Sequence, residues 1–343
     1  MGNEEIAKRF ENFASKECRG SSEWYEYISI HIAGDVEILE IASHARAGQP
    51  IPNLFFGAVH YLLLSGTDHK LGQYYASMVQ TPKKLDQQAY PHFKDFCLSN
   101  RSRIVSLLQN KLVQTNEVAR CAYLYPSFCF IYKKALKPLA LIEIGTSAGL
   151  QLLWDKYSYT YHSDDLYGDR HSKVIISSEI RGDKMPFLQK EIPPVALRYG
   201  IDLHINDVNN KEDYVWLKSL IWPEHEDRRS LFEQAANCMK ENHVQLIEEN
   251  GVTFLPHIIE QIPHETAICI FHTHVANQFP EQAKYELLHY INKIGKTRDV
   301  FHLYNNMWDS KLHLDYFISG REYNETVAET EGHGRWFQWE LKE

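Results

Sequence analysis

The chain has 343 residues, a net charge of −9, 44% apolar residues and 24% charged residues. This composition is that of an ordinary globular protein and excludes extensive disorder. At about 150 residues per domain the length predicts two structural units, and an acidic chain repels phosphate backbones, so nucleic-acid binding is not expected.

The first 137 residues are predicted to be helical. Apolar residues recur at helical spacing in the segments 4–16, 24–33, 35–42, 53–64, 91–107 and 117–134. Ser21 or Ser22 is a candidate N-cap for the second helix, and Pro126 is expected to kink or split the last one. Because no segment here alternates like a strand, we predict a helical domain over residues 1–137.

From residue 138 onward, predicted strands alternate with predicted helices. The strands are expected at 139–144, 174–178, 195–201, 244–247, 267–271 and 300–304, with a final edge strand in the tail, 332–339. The helices between them are expected at 213–220, 228–240, 255–261 and 280–294. This alternation is typical of a mainly parallel sheet covered on both faces. We therefore predict an α/β, Rossmann-like domain over residues 138–343.

The cysteines and the apolar segments indicate in which cellular compartment the protein is expected. The six cysteines are scattered without a CxxC pair, which argues against a disulfide framework and against a zinc site. The first 16 residues lack the apolar core of a signal peptide. The longest apolar run, 51–65, is too short to cross a bilayer. We expect a cytoplasmic protein with reduced thiols and no membrane partner, and the sequence leaves its oligomeric state open.

The segment 139–157 is the most informative part of the chain. A strand that ends at Gly145 lets a ligand approach the backbone, and an amphipathic helix is predicted to follow with its N–H groups facing that ligand. Glu143 favours a cationic sulfonium over a pyrophosphate, and Ser147 stands where a dinucleotide motif has its second glycine. The pattern favours S-adenosylmethionine. A packing turn without any cofactor is the alternative.

The run E-x-G-x-x-A-G-L at 143–150 resembles the first motif of class I S-adenosylmethionine-dependent methyltransferases. Over nearly its whole length the chain also resembles a bacterial family catalogued as domain of unknown function 2332. That resemblance is carried by residues 18–22, 58–61, 114–118, 143–157, 200–203, 208, 222–224 and 271–273, and by the HGRW tail at 333–336. It implies a methyltransferase-like fold and no established reaction.

The methyltransferase resemblance implies a cofactor site at the glycine turn. Its residues would hold the amino-acid part of S-adenosylmethionine, and they are Glu143, Gly145, Thr146, Ser147 and Gly149. Asp202, near the end of a predicted strand, would hold the ribose, with Glu179 as a rival and turn capping as an alternative. Asn250 stands where the family tends to carry an acidic residue. It would accept from the adenine amino group through its carbonyl oxygen.

Two histidines follow the predicted strand 267–271. His272 is a candidate general base that orients or deprotonates the methyl acceptor, because its ordinary pKa lies near the operating pH. A hydrogen-bonded histidine at a strand end is the alternative. His272 and His274 would share a face of a strand and could bind a metal. No third ligand stands at convincing spacing, although His302 lies in the next strand, so no metal site is predicted.

A small-molecule substrate is expected against the helical part, since clefts between domains are favoured ligand sites. The candidate substrate-binding residues are Arg19, Ser21, Tyr25, Gln114, Asn116, Glu117 and Arg120. Helix capping is the alternative role, above all for Asn116. The expected function is S-adenosylmethionine-dependent methyl transfer to a small molecule. The alternatives are a non-catalytic nucleotide- or metabolite-binding protein that kept the fold, and a metal-dependent hydrolase.

Overall fold

The computed structural model describes residues 2–114, 116–163, 165–189 and 191–342. The chain forms two compact units. Unit 1 consists of Met1–Thr115 and Asn210–Arg229, and unit 2 consists of Asn116–Asn209 and Ser230–Glu343. A segment distant in sequence therefore completes unit 1. This division differs from the boundary drawn at residue 137 from the sequence, because the helix Cys121–Ala135 packs within unit 2.

The described residues form the following α-helices, in chain order: α1 (Asn3–Phe13), α2 (Glu23–Ala33), α3 (Val36–Ala42), α4 (Ile51–Leu64), α5 (Ala89–Ser99), α6 (Arg101–Asn110), α7 (Cys121–Ala135), α8 (Lys211–Ser219), α9 (Glu226–Glu241), α10 (Leu255–Gln261) and α11 (Glu281–Gly295). Among residues 2–114 and 116–137 the structure contains no strand. The helical character predicted for this part of the chain is confirmed.

Unit 1 is a helical bundle around an aromatic core. The Ser22 hydroxyl caps α2 by accepting from the Tyr25 N–H at 3.0 Å, as the sequence predicted for Ser21 or Ser22. The Tyr25 ring stacks on Phe56 with centroids 4.2 Å apart. Segment 210–229 packs into the same core, since a Cβ on Gly57 of α4 would lie 2.9 Å from Leu220 Cδ2. Apolar burial on both sides of α4 therefore holds unit 1 together.

Two predicted helices differ from the observed ones. The segment 91–107 is not one helix, because α5 ends before Asn100 and α6 begins after it. The segment 117–134 begins with the 3₁₀ turn Val118–Arg120 and continues as α7, which contains Pro126. A proline lacks the N–H that an uninterrupted helical ladder needs.

Strands begin at residue 139. They are β1 (Leu139–Ile144), β2 (Ser158–Thr160), β3 (Tyr167–Gly168), β4 (Ile175–Ser177), β5 (Glu179–Arg181), β6 (Val195–Asp202), β7 (Gln245–Glu248), β8 (Ala267–His272), β9 (Val300–Tyr304), β10 (Leu312–Ile318), β11 (Arg321–Thr330) and β12 (Trp336–Trp339). One sheet has the order β5-β12-β11-β10-β9-β8-β1-β6-β7, and a small second sheet has the order β3-β2-β4.

The large sheet is parallel from β7 to β9 and mixed beyond. Strands β7, β6, β1, β8 and β9 pair in parallel, whereas β10 and β11 pair antiparallel with their neighbours. The chain leaves β1 on one side for β6 and β7, then crosses to the other side for β8 and β9. The carboxyl ends of β1 and β8 therefore flank a topological switch point, where open α/β sheets bind ligands. We call this the carboxyl edge.

Both faces of β1 are covered. Residues Ala140, Ile142 and Ile144 join one apolar cluster with side chains of α10 and α11. The opposite face meets α7, where Phe128 stacks on Trp154 at 4.8 Å and contacts Phe271 edge-on at 5.3 Å. Because side chains alternate along a strand, Glu143 lies on this second face.

Several strand and helix predictions were wrong. The segment 174–178 contributes β4 to the small sheet, not to the large one. The tail strand β12 lies between β11 and β5 and is not an edge strand. The amphipathic helix expected at 150–157 is the short 3₁₀ helix Leu150–Lys156, which is buried through residue 155. The sequence analysis missed the β10–β11 hairpin, whose alternation is interrupted by charged residues.

The cysteines and the helices bear on two further expectations. The six cysteines are unpaired in the structure, and five of them are buried. Within the described ranges, no helix combines the length and the apolar character that crossing a membrane requires.

Candidate active site

The carboxyl edge concentrates unusual backbone conformations. Ser147, His274 and Asn306 follow β1, β8 and β9, and their φ angles are 52°, 55° and 54°. Residues other than glycine rarely adopt this left-handed backbone conformation. It costs energy and persists only where surrounding contacts hold the backbone in place. Three such residues after three neighbouring parallel strands mark this edge as the candidate site.

Glu143 is a buried acid at the end of β1. Its side chain is 4% exposed, and its Oε2 accepts from the Thr146 hydroxyl at 2.6 Å. Burial raises the pKa of Glu143 to about 8, so the group carries a proton at neutral pH. Thr146 is itself fixed against β6, because a Cβ on Gly200 would lie 2.7 Å from its hydroxyl oxygen. A cation placed beside Glu143 would favour the ionised form.

The two glycines of the turn are required by backbone and packing. Gly145 has φ 75°, and a Cβ there would lie 2.5 Å from Val275 Cγ2. Gly149 has φ 76°, and a Cβ there would lie 2.9 Å from Leu246 Cδ2. These contacts account for both glycines without a ligand, which is the packing alternative that the sequence left open.

Asp202 lies beside the turn. Its Oδ2 accepts from the Ser147 N–H at 2.8 Å and its Oδ1 from the His204 N–H at 3.2 Å. Burial raises the pKa of Asp202, against the effect of these hydrogen bonds. The rival Glu179 lies in β5 at the opposite edge of the sheet and pairs with Arg181 at 2.9 Å. Of the two candidates for the ribose, Asp202 is therefore the one near the turn.

Asn250 is exposed, and its side chain organises the loop after β7. Its Oδ1 accepts from the Val252 N–H at 3.0 Å and from the Thr253 N–H at 3.2 Å. An amide oxygen has two lone pairs, and both are used. The expected acceptor for an adenine amino group is thus already occupied.

His272 is enclosed within the sheet. It is fully buried, and its Nε2 lies 3.0 Å from the Nε2 of the buried His302 on β9. Burial lowers the pKa of His272 to about 3. A general base must reach the proton it abstracts, and His272 is closed off from solvent. Its catalytic role stays a prediction.

His272 and His274 do not share a strand face. β8 ends at His272, and His274 turns into the left-handed region beyond it, toward Asn305 and Asn306. In the part of the chain that the structure describes, no three histidine, cysteine, aspartate or glutamate side chains are grouped to hold a metal ion.

A buried polar network joins the carboxyl edge to the segment before α7. The Thr273 hydroxyl donates to Gln151 Oε1 at 3.1 Å and accepts from Arg120 at 3.4 Å. Gln151 Nε2 donates to the Glu117 carbonyl oxygen at 3.2 Å, and Arg120 Nε donates to the Gly332 carbonyl oxygen at 2.9 Å. Two of the predicted substrate residues, Glu117 and Arg120, therefore lie at this edge.

The other predicted substrate residues are placed differently. Arg19 is exposed and pairs with Glu26 at 3.5 Å, and the exposed Ser21 hydroxyl lies 3.2 Å from His225. Tyr25 is buried in the aromatic core of unit 1. Gln114 belongs to unit 1, and Asn116, whose side-chain nitrogen is buried, belongs to unit 2. These residues are distributed over both units.

Comparison with known protein families shows which family the chain belongs to. The sequence model of a family described as an uncharacterized protein conserved in bacteria (DUF2332) matches residues 7–339. The chain belongs to this family. No curated protein and no solved structure matches the chain. The match to DUF2332 covers both units and the carboxyl edge, and it carries no information on the reaction.

The sequence analysis of this DUF2332 protein missed four residues of the edge, namely Gln151, Thr273, Asn305 and Asn306. Three of them come directly after β8 or β9, and polar residues after a buried strand are a usable signal. Beside the turn, a cavity of about 420 Å³ is lined by Ala148 and Leu246 among others.

Proposed function

We propose that this DUF2332 protein binds S-adenosylmethionine at the turn after β1 and transfers its methyl group to a small molecule. The strand order supports this proposal. It brings Glu143 and Asp202 to the same edge of the sheet, on either side of the turn that contains Ser147 in its left-handed conformation. This is the edge at which open α/β sheets bind ligands.

The charge of the site favours a cationic ligand. A sulfonium or ammonium group near Glu143 would stabilise the carboxylate that burial disfavours. The helix after the turn is a 3₁₀ helix of seven residues, Leu150–Lys156, with its first turn buried. It offers no open N-terminus for a pyrophosphate. A sulfonium cofactor therefore suits this turn better than a dinucleotide does.

The residues at the edge would position the reactants. The backbone from Gly145 to Gly149 and the Glu143 carboxylate would face the amino-acid part of the cofactor, and Asp202 would accept from the ribose hydroxyls. When bound, the cofactor would supply an electrophilic methyl group to the lone pair of the acceptor, the C–S electron pair would remain on sulfur, and the proton of the acceptor would pass to solvent. Positioning of this kind lowers the barrier without an assigned base.

Titration calorimetry with S-adenosylmethionine and S-adenosylhomocysteine tests the proposal. We expect one site per chain. Below pH 8 the affinity for S-adenosylmethionine should increase as the pH is raised, by up to about tenfold per pH unit, because binding releases the Glu143 proton. Glu143→Gln should weaken binding and remove that part of the pH dependence. Glu322→Gln, an exposed glutamate on β11, is the matched control. Absence of heat and of a thermal shift at millimolar ligand with folded protein would refute the proposal.

A second candidate is a binding protein without catalysis. The occupied Asn250 carbonyl and the close packing of Val275 on Gly145 favour it. It predicts cofactor or metabolite binding without transfer of a labelled methyl group to any member of a metabolite panel. Label transfer in that assay would exclude it.

A further inference from the structure

The loop after β9 holds a buried donor that the described residues leave unused. Asn305 is fully buried, and its Oδ1 accepts from the His274 N–H at 2.9 Å. This bond fixes the orientation of the amide, because its oxygen faces the backbone N–H of His274. The Asn305 nitrogen has no hydrogen-bond partner among the residues that the structure describes. A buried donor without a partner loses its hydrogen bonds to water without replacement, so such groups are rare in folded proteins.

His274 supplies a second donor of the same kind. Asn306 Nδ2 lies 2.9 Å from His274 Nδ1 and donates to it. Burial, and then the charge of Arg120, lowers the pKa of His274 to about 3, so the ring is neutral. With Nδ1 as the acceptor, the single ring proton resides on Nε2. This Nε2 is buried and lacks a partner within the described ranges.

A guanidinium lies beside these two donors. Arg120 is 8% exposed, and its contacts with the Gly332 carbonyl and the Thr273 hydroxyl are to neutral acceptors. Gly332 also lies against His274, because a Cβ there would be 3.6 Å from the imidazole Cε1. The Tyr123 hydroxyl lies next to the Asn305 amide. Burial raises the pKa of Tyr123, and the charge of Arg120 and the amide both oppose that rise. Arg120 also acts on the His274 ring, so the cation lies close to both donors.

Glu331, which acts on the His274 ring, has partners of its own. It accepts from His333 at 3.3 Å and from Arg335 at 3.0 Å. Although burial opposes it, these hydrogen bonds lower the pKa of Glu331. Glu143, on the neighbouring strand, carries a proton at neutral pH. The Arg120 guanidinium supplies a positive charge beside the two donors.

We propose that the loops after β8 and β9 bind the carboxylate of a small molecule through the Nε2–H of His274, the NH₂ of Asn305 and the guanidinium of Arg120. Two N–H donors and a cation are the set that recognises a carboxylate. His274 is partly exposed, so the loop that carries it reaches the surface. If the proposed methyl transfer holds, the acceptor is a small carboxylic acid. This last step rests on the proposed function, whereas the site does not.

The test measures thermal stability of the full chain with acetate or benzoate, without S-adenosylmethionine. The neutral amides acetamide and benzamide, and chloride at equal ionic strength, are the reference ligands. We expect a saturable rise in melting temperature with at least one carboxylate and none with its amide. Because the cofactor is absent, failure here leaves the methyltransferase proposal standing, and failure of cofactor binding leaves this site standing.

Two variants locate the effect. Asn305→Asp keeps the acceptor for the His274 N–H and replaces the NH₂ group by oxygen, and Arg120→Gln removes the charge. Each should weaken carboxylate binding at least tenfold, whereas Asn292→Asp, on an exposed amide of α11, should not change it. If Asn305→Asp fails to fold, Arg120→Gln carries the test. Equal shifts with acid and amide, binding that survives both variants, or a buried water only at these donors in a carboxylate-soaked crystal would overturn the proposal.

Discussion

Two histidines, one in each unit, differ in how their ring nitrogens are paired. In unit 1, His60 lies 2.9 Å from the Ser219 carbonyl oxygen through Nδ1 and 2.7 Å from the Ser77 hydroxyl through Nε2, so both nitrogens are used. In unit 2, His274 uses Nδ1 and leaves Nε2 unpaired among the described residues. A buried histidine with a purely structural role is expected to have both ring nitrogens hydrogen-bonded.

The segment 210–229 makes further hydrogen bonds to the helices of unit 1: Trp216 donates to the Leu112 carbonyl at 2.8 Å, and Glu224 accepts from the Ser22 hydroxyl and from the Trp24 N–H. The carboxyl edge instead combines left-handed residues with a protonated acid. Departures from the rules of local stability are expected mainly at functional or strained sites.

The largest effect that would sharpen this comparison is expected at His60. His60→Ala removes two hydrogen bonds and leaves a buried cavity, so we expect a loss of about 4 kcal/mol in the free energy of unfolding. His274→Ala should cost only about 1 kcal/mol, since an unpaired nitrogen leaves with the ring. Urea denaturation of both variants measures the difference. Equal losses would remove the distinction between the two regions.

A pH series on Glu143→Gln is the next test. The folded chain keeps a proton on Glu143 up to a pKa of about 8, whereas the unfolded chain releases it above the ordinary value of 4.5. This group's contribution to stability is therefore complete below pH 4.5 and is lost as the pH rises toward 8, at about 1.4 kcal/mol per pH unit. Glu143→Gln should lack that slope between pH 5 and 8, and Glu322→Gln should retain it. A wild-type slope that persists in Glu143→Gln would show that Glu143 ionises freely.

The smallest effect is expected at Glu224. Glu224→Ala removes the acceptor of the Ser22 hydroxyl and the Trp24 N–H. Because the side chain is exposed, water replaces part of what is lost, and we expect about 1 kcal/mol by urea denaturation. A loss of unfolding free energy as large as that of His60→Ala would show that surface hydrogen bonds contribute as much as buried ones to holding segment 210–229 in unit 1.

Periodicity and turn residues were sufficient for much of the fold. The helices of the first 137 residues and the strands β1, β6, β8 and β9 follow from apolar spacing, because each element buries one face or all of its residues. The 3₁₀ form of Leu150–Lys156 could not be predicted, since a seven-residue segment suits either helix type. Its burial depends on contacts distant in sequence, such as the stacking of its Trp154 on Phe128 of α7. The membership of segment 210–229 in unit 1 depends on contacts distant in sequence.

The candidate site was predictable only where strand ends carried polar residues. Glu143 was found because it lies two residues before the glycine turn, and Asp202 because it lies near the end of a predicted strand. The proposed roles of Asn305 and His274 depend on the hydrogen bond that the His274 backbone N–H donates to the Asn305 side chain. This bond joins two loops, and residue spacing within either loop does not reveal it. Gly145 was interpreted as a ligand cradle, and its contact with Val275 emerges only in three dimensions.

The return of residues 210–229 into unit 1 has a consequence for synthesis on the ribosome. The aromatic core that contains Trp216 stays incomplete until this segment has left the exit tunnel, although the helices it packs on were made some hundred residues earlier. A nascent chain stalled before that point would present Gly57 and its apolar surroundings to chaperones. Unit 1 therefore cannot be expressed as an N-terminal fragment and expected to remain dispersed.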